Sequence, residues 1–171
     1  MMDFKLNLET KSFSLIQIQD FHFDELYLVA GNPVVWEQHP EKNRWKKEVF
    51  LKFFQTALNN DLGCFTIIDK NLDKYIGSTR FYSHDRKHNS IKIGYTFLSP
   101  EYWGSSVNGQ IKKVMLNYIF GYVEKVYFDI GEKNFRSRRA TEKLGAVQYK
   151  KVNDGTLTYL LHKKEYFLQG L

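Results

Sequence analysis

Residues 102–116 read YWGSSVNGQIKKVML, with two glycines, two serines and an asparagine where a strand-like run gives way to a helix-like one. The first turn of a helix carries N–H groups without intrahelical acceptors, and the macrodipole adds about half a positive charge there. Such a junction can therefore hold a phosphate. Gly104 permits close backbone approach, Ser105, Ser106 and Asn108 add short polar groups, and Lys112 and Lys113 either strengthen the field or face solvent. The same residues also describe an ordinary helix start capped by Ser105 or Ser106, and local chemistry does not choose between the two.

A second polar cluster follows at 134–144, NFRSRRATEKL. Asn134 is placed to cap a helix, with the Ser137 hydroxyl in its first turn. From Arg136 to Lys151 there are six basic residues and one acidic one, which suits nucleic acid, a multiply phosphorylated cofactor or a solvated face. No carboxylate stands out as a general base: Asp129 falls inside a strand, Glu101 before a loop and Asp154 in a turn. His84 and His88 read as surface residues of a polar connection, and no metal site is indicated.

The elements that must position these groups follow from periodicity. FSLIQI (13–18) predicts a first strand, and Asp20 or Asp24 a cap for a short helix through ELYLVA, stopped by Gly31, Asn32 and Pro33. Trp45, Val49, Phe50, Phe53, Phe54, Ala57 and Leu58 recur at three- and four-residue steps, the mark of an amphipathic helix. CFTIID (64–69), YIGSTRFYS (75–83) and IKIGYTFL (91–98) read as strands joined by short polar turns, hence antiparallel hairpins. Val107, Ile111, Val114, Met115, Tyr118, Ile119 and Tyr122 mark the next helix, KVYFDI (125–130) a strand, and 134–144 a helix closed by Gly145. Two strands near 146–151 and 156–162 pair around NDG. The order βααβββαβαββ predicts an α+β (mixed α/β) fold: about seven strands in a mostly antiparallel sheet, flanked by about four helices. The strand–helix–strand crossover within it is right-handed.

The chain has 171 residues, 43% hydrophobic and 16% aromatic, which suits one domain over 1–171 and excludes a disordered profile. MMDFKLNLET lacks a long apolar core, so it reads as neither signal peptide nor membrane span. A lone Cys64 fits a reducing compartment, and the expectation is a cytoplasmic protein without a membrane partner. The formal charge of +6 points to anionic partners.

IGSTRFY (76–82), IGYTFLSPEYWGSSVN (93–108), NFRSRRATEKLGA (134–146) and LTYLLHKKEY (157–166) together resemble the GNAT superfamily of acetyl-CoA-dependent N-acetyltransferases. The likeness is greatest to the branch that acetylates ribosomal-protein N-termini (RimJ/RimL-like). It implies acetyl-CoA as acyl donor, an amine acceptor, and a pyrophosphate cradle over Trp103, Gly104, Ser105, Ser106, Val107, Asn108 and Gly109. The cradle departs from the family pattern Arg/Gln-x-x-Gly-x-Gly/Ala: Trp103 takes the Arg/Gln place, Ser106 the central glycine and Asn108 the last small residue. The resemblance further implies pantetheine bonding to main chain at Phe97 and Leu98, with Asn134 beside the pantetheine. It puts Ser137 at the thioester sulfur, able to donate to the departing thiolate, because Thr141 stands where many members carry a tyrosine. On residues alone Tyr95 and Phe97 are equally core aromatics. Homodimer formation is compatible with the family, and no nucleic-acid partner is expected.

Acetyl transfer needs a neutral amine. An α-amine has a pKa of about 7.7–8.0 against about 10.4 for lysine, so a chain without an evident base tilts toward α-amines or other low-pKa acceptors. The first two helices and their aromatics, Trp36, Trp45, Phe50, Phe53 and Phe54, form one wall of the acceptor cleft in the resembled fold and serve as pocket or as core. Two other classes compete. One is a CoA-binding module without transfer activity. The other is a nucleic-acid binder using the basic stretch, which carries no known recognition motif.

Overall fold

The computed structural model describes residues 3–152, 154–168 and 170. In chain order its elements are β1 (Leu8–Glu9), β2 (Phe13–Gln17), α1 (Phe23–Ala30), α2 (Lys47–Leu58), β3 (Cys64–Asp69), β4 (Lys74–Asp85) and β5 (Ser90–Leu98). There follow α3 (Val107–Ile119), β6 (Lys125–Gly131), α4 (Phe135–Glu142), β7 (Val147–Lys151), β8 (Thr156–His162) and α5 (Lys163–Leu168). The eight strands form one mixed sheet in the order β1-β2-β3-β4-β5-β6-β8-β7, in which only β5 and β6 run parallel. The expected mixed sheet and element order are therefore present. The eighth strand is the two-residue β1, and the fifth helix is the short α5 after the last strand. The hairpin expected around NDG joins β7 to β8, and its Asn153 lies outside the described residues.

Aromatic side chains decide how the layers pack. α2 buries Phe50, Phe53, Phe54 and Ala57 along one stripe, against Leu26, Val29 and Ala30 of α1 and against Cys64 and Phe97 of the sheet. On the opposite sheet face α3 buries Ile111, Met115, Leu116 and Ile119 against Phe81, Ile91, Ile93, Val126 and Phe128. Each such side chain contributes roughly 1.5–3 kcal/mol of transfer free energy. Trp103 packs against both cores, so it sits where the two layers meet.

Two expected helix starts differ from what forms. Neither Asp20 nor Asp24 caps α1: a 3-10 turn at Asp20–His22 precedes it, and the Gln19 N–H donates to His22 Nδ1 at 3.1 Å. Ser106 occupies the cap position of α3, but its hydroxyl accepts no backbone N–H. Ser105 Oγ takes the Val107 N–H at 3.3 Å instead. Gly145, at φ +88°, closes α4 as expected, because an L side chain is strained in that left-handed region.

Candidate active site

β5 and β6 pair only at Ser90↔Lys125, Ile91↔Val126 and Lys92↔Tyr127. Beyond Lys92 the strands part, so the stretch 93–98 of β5 opens a cleft toward the end of β6. Its pairing with β4 passes from Ser78↔Phe97 to Arg80↔Gly94, leaving one extra residue on β5. Tyr95 takes up this bulge with φ +52°, in the left-handed region that costs a bulky residue of order 1–3 kcal/mol. Its ring is 44% exposed, so the strain is spent on turning an aromatic toward the cleft face instead of into the core.

The end of β5 leads through the 3-10 turn Pro100–Tyr102 into Trp103 and Gly104. The Trp103 indole Nε1 donates to Leu98 O at 3.0 Å, while Phe97 O faces Gly77 of β4 so closely that a Cβ there would sit 2.0 Å away. Leu98 thus presents its carbonyl on the open side and Phe97 presents its own to the sheet. The Phe97 ring is core, with centroids 5.3 Å from Trp36 and 5.9 Å from Phe50.

Gly104 adopts φ +73°, and a Cβ at Gly104 or Gly109 would meet nothing within 4 Å. At the start of α3, Ser105 Oγ donates to Tyr102 O at 2.5 Å, and the Gln110 N–H reaches Ser106 O at 3.0 Å. Between Val107 and Gln110, the N–H groups of Asn108 and Gly109 have no acceptor among the described residues. Ser106 Oγ accepts from Gln110 Nε2 at 2.9 Å and is exposed, so the serine does not fill the cradle. Open space, free amides and a helix N-terminus are what a pyrophosphate requires, so the residues fit that group.

Across the cleft, Asn134 is buried and caps α4, its Oδ1 accepting the Ser137 N–H at 3.2 Å. The half-buried Ser137 Oγ has no hydrogen-bond partner among the described residues, and Thr141 is buried. The three arginines separate. The Arg136 guanidinium stacks 3.5 Å from the Trp103 ring centroid, Arg138 donates to Tyr159 Oη and Glu132 O at 3.0 Å each, and Arg139 is exposed. Arg136 also reaches back to the segment between α1 and α2: its Nη2 donates to Val35 O at 3.4 Å and its N–H to Gln38 Oε1 at 3.2 Å. Pro40 of the same segment packs on Gly131, where a Cβ would come within 2.8 Å of Pro40 Cγ. Residues 33–45 thus form a strap across the mouth of the cleft.

Three features were not evident in the sequence. Lys112 is buried, its Nζ donating to Thr96 Oγ1 at 2.5 Å and Thr79 Oγ1 at 3.0 Å directly beneath the bulge, and burial pulls its pKa down to about 7. Arg80 is buried on the other face, beneath Tyr95. Asp129 projects toward the cleft face but is fully engaged: Lys92 Nζ at 2.6 Å, Thr158 Oγ1 at 2.8 Å and Tyr82 Oη at 3.4 Å. Burial, then the Asp129 charge, push the Tyr82 phenol above its ordinary range, so it stays protonated.

A protein-family model described as "Acetyltransferase (GNAT) domain" matches residues 13–147. The chain belongs to the GNAT acetyltransferase family. Among solved structures, a GCN5-related N-acetyltransferase from Brucella melitensis is 19% identical with a TM-score of 0.82, over 97% of this chain and 82% of that one. Spermidine N-acetyltransferase from Vibrio cholerae, in complex with CoA and spermine, is 13% identical with a TM-score of 0.74, over 92% and 99% of the two chains. Ribosomal-protein-S5-alanine acetyltransferase from Vibrio fischeri is 14% identical with a TM-score of 0.69, over 94% and 98%. At these identities the likeness is one of fold. No curated protein matches the chain. Among the described residues, no helix of this GNAT chain is long and apolar enough to cross a membrane.

Proposed function

We propose that the protein is an acetyl-CoA-dependent N-acetyltransferase that passes an acetyl group to a primary amine by direct attack within a ternary complex. One observation carries this reading: β5 parts from β6 beside a helix start whose Asn108 and Gly109 amides are free. The thioester supplies the activated acyl group. The amides of the 104–109 segment hold the pyrophosphate. The main chain at Leu98, once released by the Trp103 indole, bonds to the pantetheine, with Asn134 flanking that arm from α4. The strained main chain at Tyr95 lies where a carbonyl can be polarised in the cleft. As the C–N bond forms and the C–S bond breaks, Ser137 Oγ, which has no other partner, donates to the thiolate.

Of the carboxylates near the cleft, Asp129 is held by three partners and the strap's Glu37 and Glu41 lie in the fields of Arg136 and Arg44, so none is assigned as the base. Water then takes the amine's proton, which favours an α-amine over a lysine side chain. A protein or peptide N-terminus, as in the ribosomal-protein branch the sequence resembles, is the acceptor type that best fits.

Calorimetric titration with acetyl-CoA, run beside a Ser106→Gly variant, tests the cradle. Micromolar binding that the variant leaves essentially unchanged is expected, since the exposed serine does not fill the cradle; no binding in either protein would remove the acetyltransferase reading. Thiol release with amines then separates an enzyme from a CoA-binding module.

A further inference from the structure

The cleft face opposite Lys112 carries two guanidinium groups; among the described residues neither is in an ion pair, and the one carboxylate whose field reaches Arg44 is Glu41 of its own turn. Arg80 of β4 is 4% exposed, and of its nitrogens only Nη1 finds a partner, Thr56 Oγ1 at 3.3 Å. Its Nε and Nη2 are buried without any acceptor. Arg44 comes from the strap and bonds only His39, Nη1 to Nε2 at 3.2 Å. The two flank one ring: the Arg44 guanidinium lies 4.4 Å and that of Arg80 4.8 Å from the Phe53 centroid. Trp36 at 5.0 Å from Arg44 and Tyr95 at 4.1 Å from Arg80 complete an aromatic cage. Neither arginine makes an ion pair among the described residues.

Such an arrangement is costly. Aromatic faces offset part of a guanidinium's desolvation, but they leave directional N–H donors unmet, and an unmet donor on a charged group costs more than on a neutral one. Burial lowers the pKa of both arginines, Arg44 to about 10; the Glu41 carboxylate opposes that shift at Arg44 and repulsion from Arg80 adds to it. Two like charges are thus held together in a place that penalises each. An anion removes both penalties at once. A carboxylate is the group whose planar oxygens match the Nε and Nη2 fork of Arg80.

Position says which molecule brings it. Arg80 is the register partner of Gly94 and lies under Tyr95, the bulge beside which the acyl carbonyl is expected. The cradle for the donor's phosphates is elsewhere, at 104–109 beyond the end of β5. The anion seen by Arg80 therefore belongs to the acceptor.

We propose that Arg80 and Arg44 form a carboxylate subsite, so that the amine acceptor is one that carries a carboxylate close to its amino group. This rests on the acetyl-transfer reading above for the word acceptor, though not for the anion site itself. Polyamines are excluded by the same two charges.

The test pairs compounds that differ in the carboxylate: L-alanine with L-alaninamide, and Ala-Glu-NH2 with Ala-Gln-NH2. Amidation of alanine lowers the pKa of its amine, so without a carboxylate subsite the amide would be acetylated faster. A preference for the acid therefore runs against intrinsic reactivity. In the dipeptide pair the α-amines are matched. Binding is read by calorimetry and turnover by thiol release, on wild type, Arg80→Met and Arg44→Met. The expected result is a preference for the acid in at least one pair. That preference falls roughly 10- to 100-fold in each variant, with the acetyl-CoA dissociation constant unchanged. Should Arg80→Met fail to fold, Arg44→Met and the wild-type preference still decide. Equal or better binding of the amide in both pairs overturns the subsite, as does a preference that survives both variants. If nothing turns over but the acids still bind through Arg80, the transfer reading fails while the anion site stands.

Discussion

Lys112 donates to two threonine hydroxyls, belongs to the buried face of α3 and makes no ion pair among the described residues; burial alone lowers its pKa from 10.5 to about 7. Between those two values the unfolded chain holds a proton that the folded chain has lost. Stability must therefore rise with pH from about 7 to about 10.5 and carry the full penalty below 7, on the order of 5 kcal/mol. Lys112→Met removes that slope and is more stable than wild type at pH 6 by about 1–4 kcal/mol, since Thr79 and Thr96 still bond each other at 2.8 Å. Urea unfolding of both proteins at pH 6 and pH 9 measures the difference, and parallel pH profiles would rule the account out. This burial was not legible in the sequence. The stripe read there ran from Val107 to Tyr122, but the face that α3 buries is Val107, Ile111, Lys112, Met115, Leu116 and Ile119, with Tyr122 exposed. A lysine inside a stripe reads as polar by type, and only the two threonines from neighbouring strands make the site hospitable. Arg80 was hidden for the same reason. A cation in YIGSTRFYS suggests a solvent-facing position, whereas β4 is buried on both faces.

At the scale of elements, the helices and strands with strong periodicity formed where expected, because hydrophobic spacing is a local property. β1 and α5 escaped because two residues and a single turn and a half are too short to show a period. The splay of β5 from β6 was not legible in the residues: pairing that stops after Lys92 depends on a neighbour far away in the chain. The start of α3 permits a separation of folding from binding. Gly109 lies in the first turn at ordinary φ with nothing within 4 Å of a built Cβ. Gly109→Ala then raises stability by a few tenths to about 1 kcal/mol through helix propensity. If Gly109 leaves room for a phosphate, the same change weakens acetyl-CoA binding. Thermal unfolding and calorimetry on one variant read both signs; unchanged affinity would move the pyrophosphate away from Gly109.

Across the whole molecule, one guanidinium joins parts that sequence distance keeps apart. Arg136 of α4 lies on the Trp103 ring and holds the strap through Val35 and Gln38, and that strap carries Arg44. Trp103 in turn closes the Leu98 carbonyl. If the donor takes this carbonyl in the indole's place, the surface on which Arg136 rests moves and the strap holding Arg44 loosens. In that case the two substrates do not bind independently: each carries part of the free energy of the other. Thermodynamic reciprocity makes the factor by which CoA changes the amine's dissociation constant equal to the factor by which the amine changes that of CoA. In Arg136→Met both factors shrink toward one, and the order in which substrates enter ceases to matter.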